Sequence, residues 1–291
     1  MSPRTVIARL SALAAPALLL IAAAGLYRDD ATAPDVSTTA ASVMLIGNSA
    51  VVTNLEDAPL EAHGVHVIAQ LGTDAPMWYV QARAQLEQAP ALEHLVVVAS
   101  LYHLGSTRPS PTLHPHLRSE EPVLSAKVFS DASPPWWWAI DHRRELLRRD
   151  TLLTLMAPVV EPLTALEIQT ALKRTQSFDD RQGVALPLTP PTSDPALEAT
   201  LVPDLLDLLR ASGVELIIAE APLHPKNPHR AYPAFRADLQ ALAAAEGDVT
   251  WLAAPEHPGG DFQDPWHLAA PFRADYTAGF LRELTALGVL E

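Results

Sequence analysis

The chain has 291 residues, of which 48% are hydrophobic and 19% charged, so it can bury the core of an α/β domain and is not disordered by composition. The formal net charge of −14 argues against binding nucleic acid or an anionic membrane through a basic face. There is no cysteine, which excludes disulfides, thiolate metal sites, a cysteine nucleophile and a lipidated cysteine anchor.

Residues 1–28 have the pattern of a membrane-targeting segment. Arg4 and Arg9 precede an apolar run over 10–26, and basic residues at that position hold the N-terminus in the cytoplasm. The length of the run favours a retained membrane anchor, whereas the small residues at 22–24 and 31–33 leave a cleaved signal peptide open. In both cases we expect the rest of the chain outside the cytoplasm, in the periplasm or at the cell surface, and in the first case anchored in the cytoplasmic membrane.

Residues 29–42 lack periodicity and predict a linker, and residues 43–291 alternate short apolar runs with helical patterns. The runs predict strands over 43–46, 66–71, 95–99, 214–219 and 248–252, and the helical patterns cover 75–88, 201–209, 234–246 and 271–287. Strands that alternate with helices indicate a parallel sheet covered by helices on both faces. We therefore predict one three-layer α/β domain over 43–291.

A long segment over about 102–195 interrupts this alternation and predicts an insertion after the third strand. It contains Trp136–Trp138 and a helical pattern over 140–156. Three adjacent tryptophans are compatible with a lid, a membrane-interface belt, a ligand platform, a surface for partner proteins, or ordinary packing of the insertion on the domain.

Polar residues follow the predicted strands at the edge where parallel α/β sheets bind ligands. Ser49 follows the first strand, and Asp264 and His267 follow the fifth. A serine hydroxyl becomes nucleophilic when a histidine takes its proton, and the histidine needs a carboxylate to orient it. If Asp264 and His267 form one helical turn, which Pro265 favours, their side chains face the same way.

The same residues have plainer interpretations. Ser49 could cap a helix, and Asp264 and His267 could be a surface pair at the start of the last helix. If the triad is present, the backbone N–H of Ser49 would face a developing oxyanion, and Gly72, after the second strand, could bring a second N–H close because it has no side chain. We expect no cofactor and no metal ion, because there is no glycine-rich phosphate loop and the histidines lack the spacing of metal ligands.

The residues 46–49 resemble the first block of the SGNH (GDSL-like) hydrolases, and Asp264–His267 resembles their last, Asp-x-x-His. The resemblance covers 43–287 and is closest to membrane-anchored members that act on cell-envelope polymers. It implies a flavodoxin-like fold, an acylated Ser49, His267 as base with Asp264 as its orienting partner, and Gly72 as an oxyanion donor. It also implies an acylated carbohydrate or lipid as substrate.

The chain departs from the family pattern in two places. Asn48 stands where the usual aspartate does, outside the triad, and the third block, Gly-x-Asn-Asp, is absent. Ser100, Tyr102 and His103 follow the third strand and are candidates for the missing donor. Two functions therefore stay open: a serine esterase or O-acyltransferase, and a non-catalytic SGNH-like binding or assembly protein of the cell envelope.

Overall fold

The computed structural model describes residues 41–69, 73–88, 91–107, 123, 194–230 and 232–290. Their strands are β1 (Val43–Gly47), β2 (Val65–Ala69), β3 (His94–Ala99), β4 (Glu215–Glu220) and β5 (Val249–Leu252). Their α-helices are α1 (Ser49–Asn54), α2 (Asp57–Ala62), α3 (Ala75–Gln88), α4 (Leu101–Leu104), α5 (Val202–Arg210), α6 (Pro233–Ala245) and α7 (Arg273–Ala286).

The strands form one parallel sheet in the order β2-β1-β3-β4-β5. This is the strand order of flavodoxin-like folds, so the predicted fold class is confirmed. In the register, Gly47 lies opposite Ala69 on one side and Val98 on the other. The carboxyl ends of β1, β2 and β3 therefore lie level with one another.

Alternate residues of each strand point to opposite faces of the sheet, and both faces are buried. On β1, Met44 and Ile46 belong to the core under α3, α5 and α6, whereas Val43 and Leu45 belong to the core under α1, α2 and α7. Helices on both faces leave the ends of the strands as the place where polar groups can gather. The three-layer arrangement thus directs the candidate site to one edge.

Most predicted elements agree with the structure to within a residue or two, and the helix over 75–88 has the predicted bounds. The last helix begins at Arg273 because Ala270–Phe272 forms a 3₁₀ turn. The short helix α2 was not predicted. The Trp136–Trp138 segment, the helical pattern over 140–156 and the N-terminal segment lie outside the described residues. Within the described part of the chain, no helix is long and apolar enough to cross a membrane.

Candidate active site

The turn from β1 into α1 positions Ser49. Asn48 is the N-cap of α1, and its Oδ1 accepts a hydrogen bond of 2.9 Å from the backbone N–H of Ala50. The helix is therefore capped by Asn48 and not by Ser49, which leaves the Ser49 hydroxyl to contact other residues. The backbone N–H of Ser49 donates to none of the described residues.

Gly47 allows this turn to lie close to the neighbouring strand. A Cβ atom at Gly47 would come within 2.6 Å of the backbone oxygen of Val98 and would also collide with the side chain of Val51. Any larger residue would push β1 away from β3 or displace α1. The glycine thus sets the position at which Ser49 begins the helix.

The segment from Phe262 to Leu268 is a closed loop, so Asp264–His267 does not form the helical turn that Pro265 favours. Phe262 and Leu268 form an antiparallel bridge, and the Gln263 N–H donates to the His267 carbonyl oxygen at 2.9 Å. Asp264 Oδ1 accepts from the backbone N–H groups of Trp266 at 2.8 Å and His267 at 3.0 Å. In this turn the Asp264 side chain accepts the backbone N–H groups of Trp266 and His267, and this holds the loop closed.

The structure brings Ser49, His267 and Asp264 together as expected. His267 Nδ1 donates to Asp264 Oδ2 at 2.8 Å, because a carboxylate can only accept. Its other ring nitrogen, Nε2, is then an acceptor, and it lies 2.9 Å from the Ser49 hydroxyl oxygen. This is the geometry of a serine, a base and an orienting acid. The His267 side chain is 18% exposed, so the group is reachable from solvent.

The surroundings of Asp264 favour its ionised form. Burial by itself would raise the pKa of Asp264, but this is outweighed by the hydrogen bond and charge of His267 and by the two backbone N–H groups, and the pKa is lowered. Asp264 therefore stays a carboxylate at neutral pH. It can hold the His267 ring in one tautomer and stabilise the imidazolium that forms when His267 takes a proton.

Two residues that sequence reasoning missed, Asn54 and Asn227, hold this loop in place together with the backbone of His224. Asn54, fully buried at the end of α1, accepts from the Leu268 N–H at 2.8 Å. On the other side, Asn227 Nδ2 and the His224 N–H both donate to the Pro265 carbonyl oxygen, at 2.8 and 3.2 Å. Nothing in a single sequence distinguishes these residues from other polar residues, because their role depends on contacts between distant segments.

One side of the candidate site is a cluster of rings formed by Tyr102, His103, His229 and Trp266, hereafter the aromatic wall. His229 stacks on Trp266 with centroids 5.1 Å apart, and Tyr102 lies 4.4 Å from His229. Trp266 precedes His267 in the chain, so the wall continues directly from the base. Tyr102 is 38% exposed, so part of its ring is open to solvent.

The candidate donors for the oxyanion are only partly described. Gly72 lies outside the described residues. Ser100 follows β3 and is buried, and its hydroxyl oxygen lies 2.7 Å from Nδ1 of His103. Among the residues that the structure describes, no group of histidine, aspartate and glutamate side chains is arranged to hold a metal ion.

Comparisons with known proteins add little. No protein-family model matches the chain, and no curated protein matches it. One solved structure, described as a "putative acylhydrolase" from Bacteroides fragilis NCTC 9343, superposes with a TM-score of 0.40 at 10% identity, covering 83% of this chain and 84% of its own. A likeness this weak carries no argument about function, which therefore has to be argued from the geometry of the site.

Proposed function

We propose that this protein is a serine hydrolase or O-acyltransferase of the SGNH type that acts on esters through an acyl-serine intermediate. One observation carries the proposal: an unbroken chain of hydrogen bonds runs from Asp264 through His267 to Ser49, at 2.8 and 2.9 Å. Two plainer interpretations account for it less well. Ser49 does not cap its helix, and Asp264 and His267 are not a pair at the start of the last helix.

The reaction would run in two halves. Ser49 Oγ attacks the carbonyl carbon of the ester while its proton passes to His267 Nε2, and the carbonyl oxygen becomes an oxyanion. The tetrahedral intermediate then expels the alcohol oxygen, which takes the proton from His267. In the second half, water or another hydroxyl gives its proton to His267 and attacks the acyl carbon, and Ser49 leaves with that proton. The triad is thereby regenerated, and only the ester and the acceptor are consumed.

The nature of the second acceptor decides the class of enzyme. With water the protein is an esterase, and with a sugar hydroxyl it is an O-acyltransferase. Because residues 1–28 predict export, we propose that the site works outside the cytoplasm, with the N-terminal segment holding the protein to the membrane. The substrate we propose is an acylated carbohydrate or lipid of the cell envelope.

The test is covalent labelling of the full-length chain with a serine-directed fluorophosphonate, together with hydrolysis of short-chain aryl esters. We expect labelling and hydrolysis in the wild type, neither in Ser49→Ala, and both strongly reduced in His267→Ala. Ser212→Ala, an exposed serine at the end of α5, is the matched control and should behave as wild type. Labelling that persists in Ser49→Ala would exclude Ser49 as the nucleophile. A wild type that is neither labelled nor active would favour a non-catalytic binding protein.

The acyl acceptor needs a second measurement. Adding a soluble oligosaccharide to the ester assay separates the two classes, since a transferase moves the acyl group onto a sugar hydroxyl and a hydrolase releases only the free acid. Mass spectrometry of the oligosaccharide and of the Ser49 peptide follows the acyl group in both cases.

A further inference from the structure

His103 follows the strand that pairs with the strand leading to Ser49. Gly47 of β1 is opposite Val98 of β3, so Ser49 and Ser100, each two residues further on, leave neighbouring strands at the same level. Neighbouring strands of a sheet are about 4.8 Å apart. His103 is in the short helix α4 that follows, and its Nδ1 is 2.7 Å from the Ser100 hydroxyl oxygen. The sheet register thus places the segment of His103 at the same edge of the sheet as Ser49.

A second contact links His103 to the base. Its ring lies 5.5 Å from that of Trp266, the residue before His267. The charge of His267 also contributes to the shift in the pKa of His103, which places the two rings within electrostatic reach of each other. His103 therefore lies between the end of β3 and the loop of the base, the two segments that flank Ser49.

The buried hydroxyl of Ser100 determines which nitrogen of His103 carries the proton. Ser100 is 2% exposed, and the only partner of its hydroxyl among the described residues is Nδ1 of His103. If Nδ1 carried the proton, the buried Ser100 O–H would have no acceptor there, which is the more costly arrangement. The Ser100 hydroxyl therefore donates to Nδ1, and the proton of the ring is on Nε2. That nitrogen has no partner within the part of the chain that the structure describes.

The His103 ring is neutral under ordinary conditions. Burial, together with repulsion from the nearby His229 and His267, lowers the pKa of His103 to about 4. Burial also lowers the pKa of His229. At neutral pH His103 consequently neither takes the proton from Ser49 nor repels the imidazolium of His267. It offers a fixed, uncharged N–H at the edge of the site.

We propose that Nε2–H of His103 donates a hydrogen bond to the oxyanion of the tetrahedral intermediate, alongside the backbone N–H of Ser49. The proposal rests on the proposed function, because an oxyanion forms only if Ser49 attacks a carbonyl. Preorganised donors of this kind stabilise the charge that develops in the transition state and contribute little to ground-state binding. His103 keeps its proton throughout, so no bond is formed or broken at its ring. The neutral imidazole thereby has a catalytic role distinct from that of His267.

The test compares His103→Ala, His103→Gln and Ser100→Ala with the wild type in the full-length chain, and His63→Ala, an exposed histidine on the amino side of β2, is the control. In His103→Ala we expect kcat to fall about 10²-fold or more with KM nearly unchanged. Fluorophosphonate should still label Ser49 to completion, but more slowly. His103→Gln keeps an N–H near the position of Nε2 and should recover at least about tenfold of the loss. Ser100→Ala removes the hydrogen bond that keeps the His103 ring proton on Nε2, and kcat should fall about tenfold.

The outcomes separate this proposal from the proposed function. If the wild type is labelled at Ser49 but His103→Ala stays within about threefold of its kcat, the proposed function stands and His103 is not an oxyanion donor. A rise in KM with kcat unchanged would assign His103 to substrate binding alone. If His103→Gln is as slow as His103→Ala, the His103 ring acts only through its packing on its neighbours, and this result also overturns the proposal. If His103→Ala does not fold, the kcat values of His103→Gln and Ser100→Ala test the proposal in its place. An inactive, unlabelled wild type overturns both proposals together.

Discussion

Replacing Asp264 by asparagine changes the chemistry of the triad while it keeps the shape of the loop. In the wild type, Oδ1 accepts two backbone N–H bonds and Oδ2 accepts from Nδ1 of His267. The asparagine amide has one acceptor oxygen and one NH₂ group. The oxygen has to stay on the two backbone donors, because the opposite orientation would set the NH₂ against both of them. The NH₂ group then faces Nδ1, and Nδ1 has to become an acceptor.

This exchange moves the ring proton to Nε2, where it faces the Ser49 hydroxyl 2.9 Å away. A ring nitrogen that already holds a proton cannot take another from serine, so we expect kcat/KM to fall by about 10³- to 10⁴-fold, or about 4–5.5 kcal/mol of transition-state stabilisation. The two backbone hydrogen bonds survive, so the free energy of unfolding should fall by only about 1 kcal/mol. Asp264→Ala removes those acceptors as well and should be less stable than Asp264→Asn by about 1–3 kcal/mol.

Ester hydrolysis gives kcat/KM, urea unfolding gives the stability, and ¹⁵N chemical shifts of the His267 ring report which nitrogen carries the proton. The expected result for Asp264→Asn is near-native unfolding, a large loss of activity and a proton on Nε2. A variant that keeps kcat/KM within about tenfold of wild type, or a ring that keeps its proton on Nδ1, would refute this account of Asp264.

Two further predictions concern residues outside the triad. Asn54→Ala leaves the Leu268 N–H without its buried acceptor. Urea unfolding should therefore show a free energy of unfolding lower by about 1–3 kcal/mol, and ester assays a kcat/KM lower by about 10- to 100-fold. A variant equal to wild type in both measurements would contradict the proposed anchoring of the loop. Burial raises the pKa of Asp74 from 3.8 to about 7, and its Oδ1 has no partner among the described residues. The folded state therefore binds the proton more tightly, so the stability that protonated Asp74 contributes is complete below pH 3.8 and is lost as the pH rises towards 7. Relative to Asp74→Asn, the wild type should lose up to about 1.4 kcal/mol per pH unit in this window, and a stability difference that does not change with pH would contradict it.

The fold was predictable because its signals are local. The three central strands are apolar runs with both faces buried, and most of the chain alternates such runs with helical patterns. The order of the strands in the sheet is not encoded in any one run, and it came from the resemblance to a known family. The short helix α2 escaped prediction because six residues carry too little periodicity to be recognised.

The chain at Asp264 does not form the helical turn that its local sequence favours, although the Asp264 and His267 side chains are in contact. Proline at the second position and a spacing of three favour a helical turn, but Asp264 uses one carboxylate oxygen to bind two backbone N–H groups and so closes a loop instead. That loop is held from outside by Asn54 and Asn227, which belong to other elements. The tertiary contacts outweigh the weak local preference.

The amino-acid sequence by itself determined which residues are candidates for chemistry and at which ends of the strands they occur, because strand alternation and turn chemistry are short-range properties. Only the tertiary structure decided that a hydroxyl and an imidazole 218 positions apart meet at hydrogen-bond distance, and that the imidazole of His103, from a third segment, packs against Trp266 next to His267. Distances of that kind depend on how whole elements pack, since a shift of one ångström between two helices is enough to separate groups that must be in contact to exchange a proton.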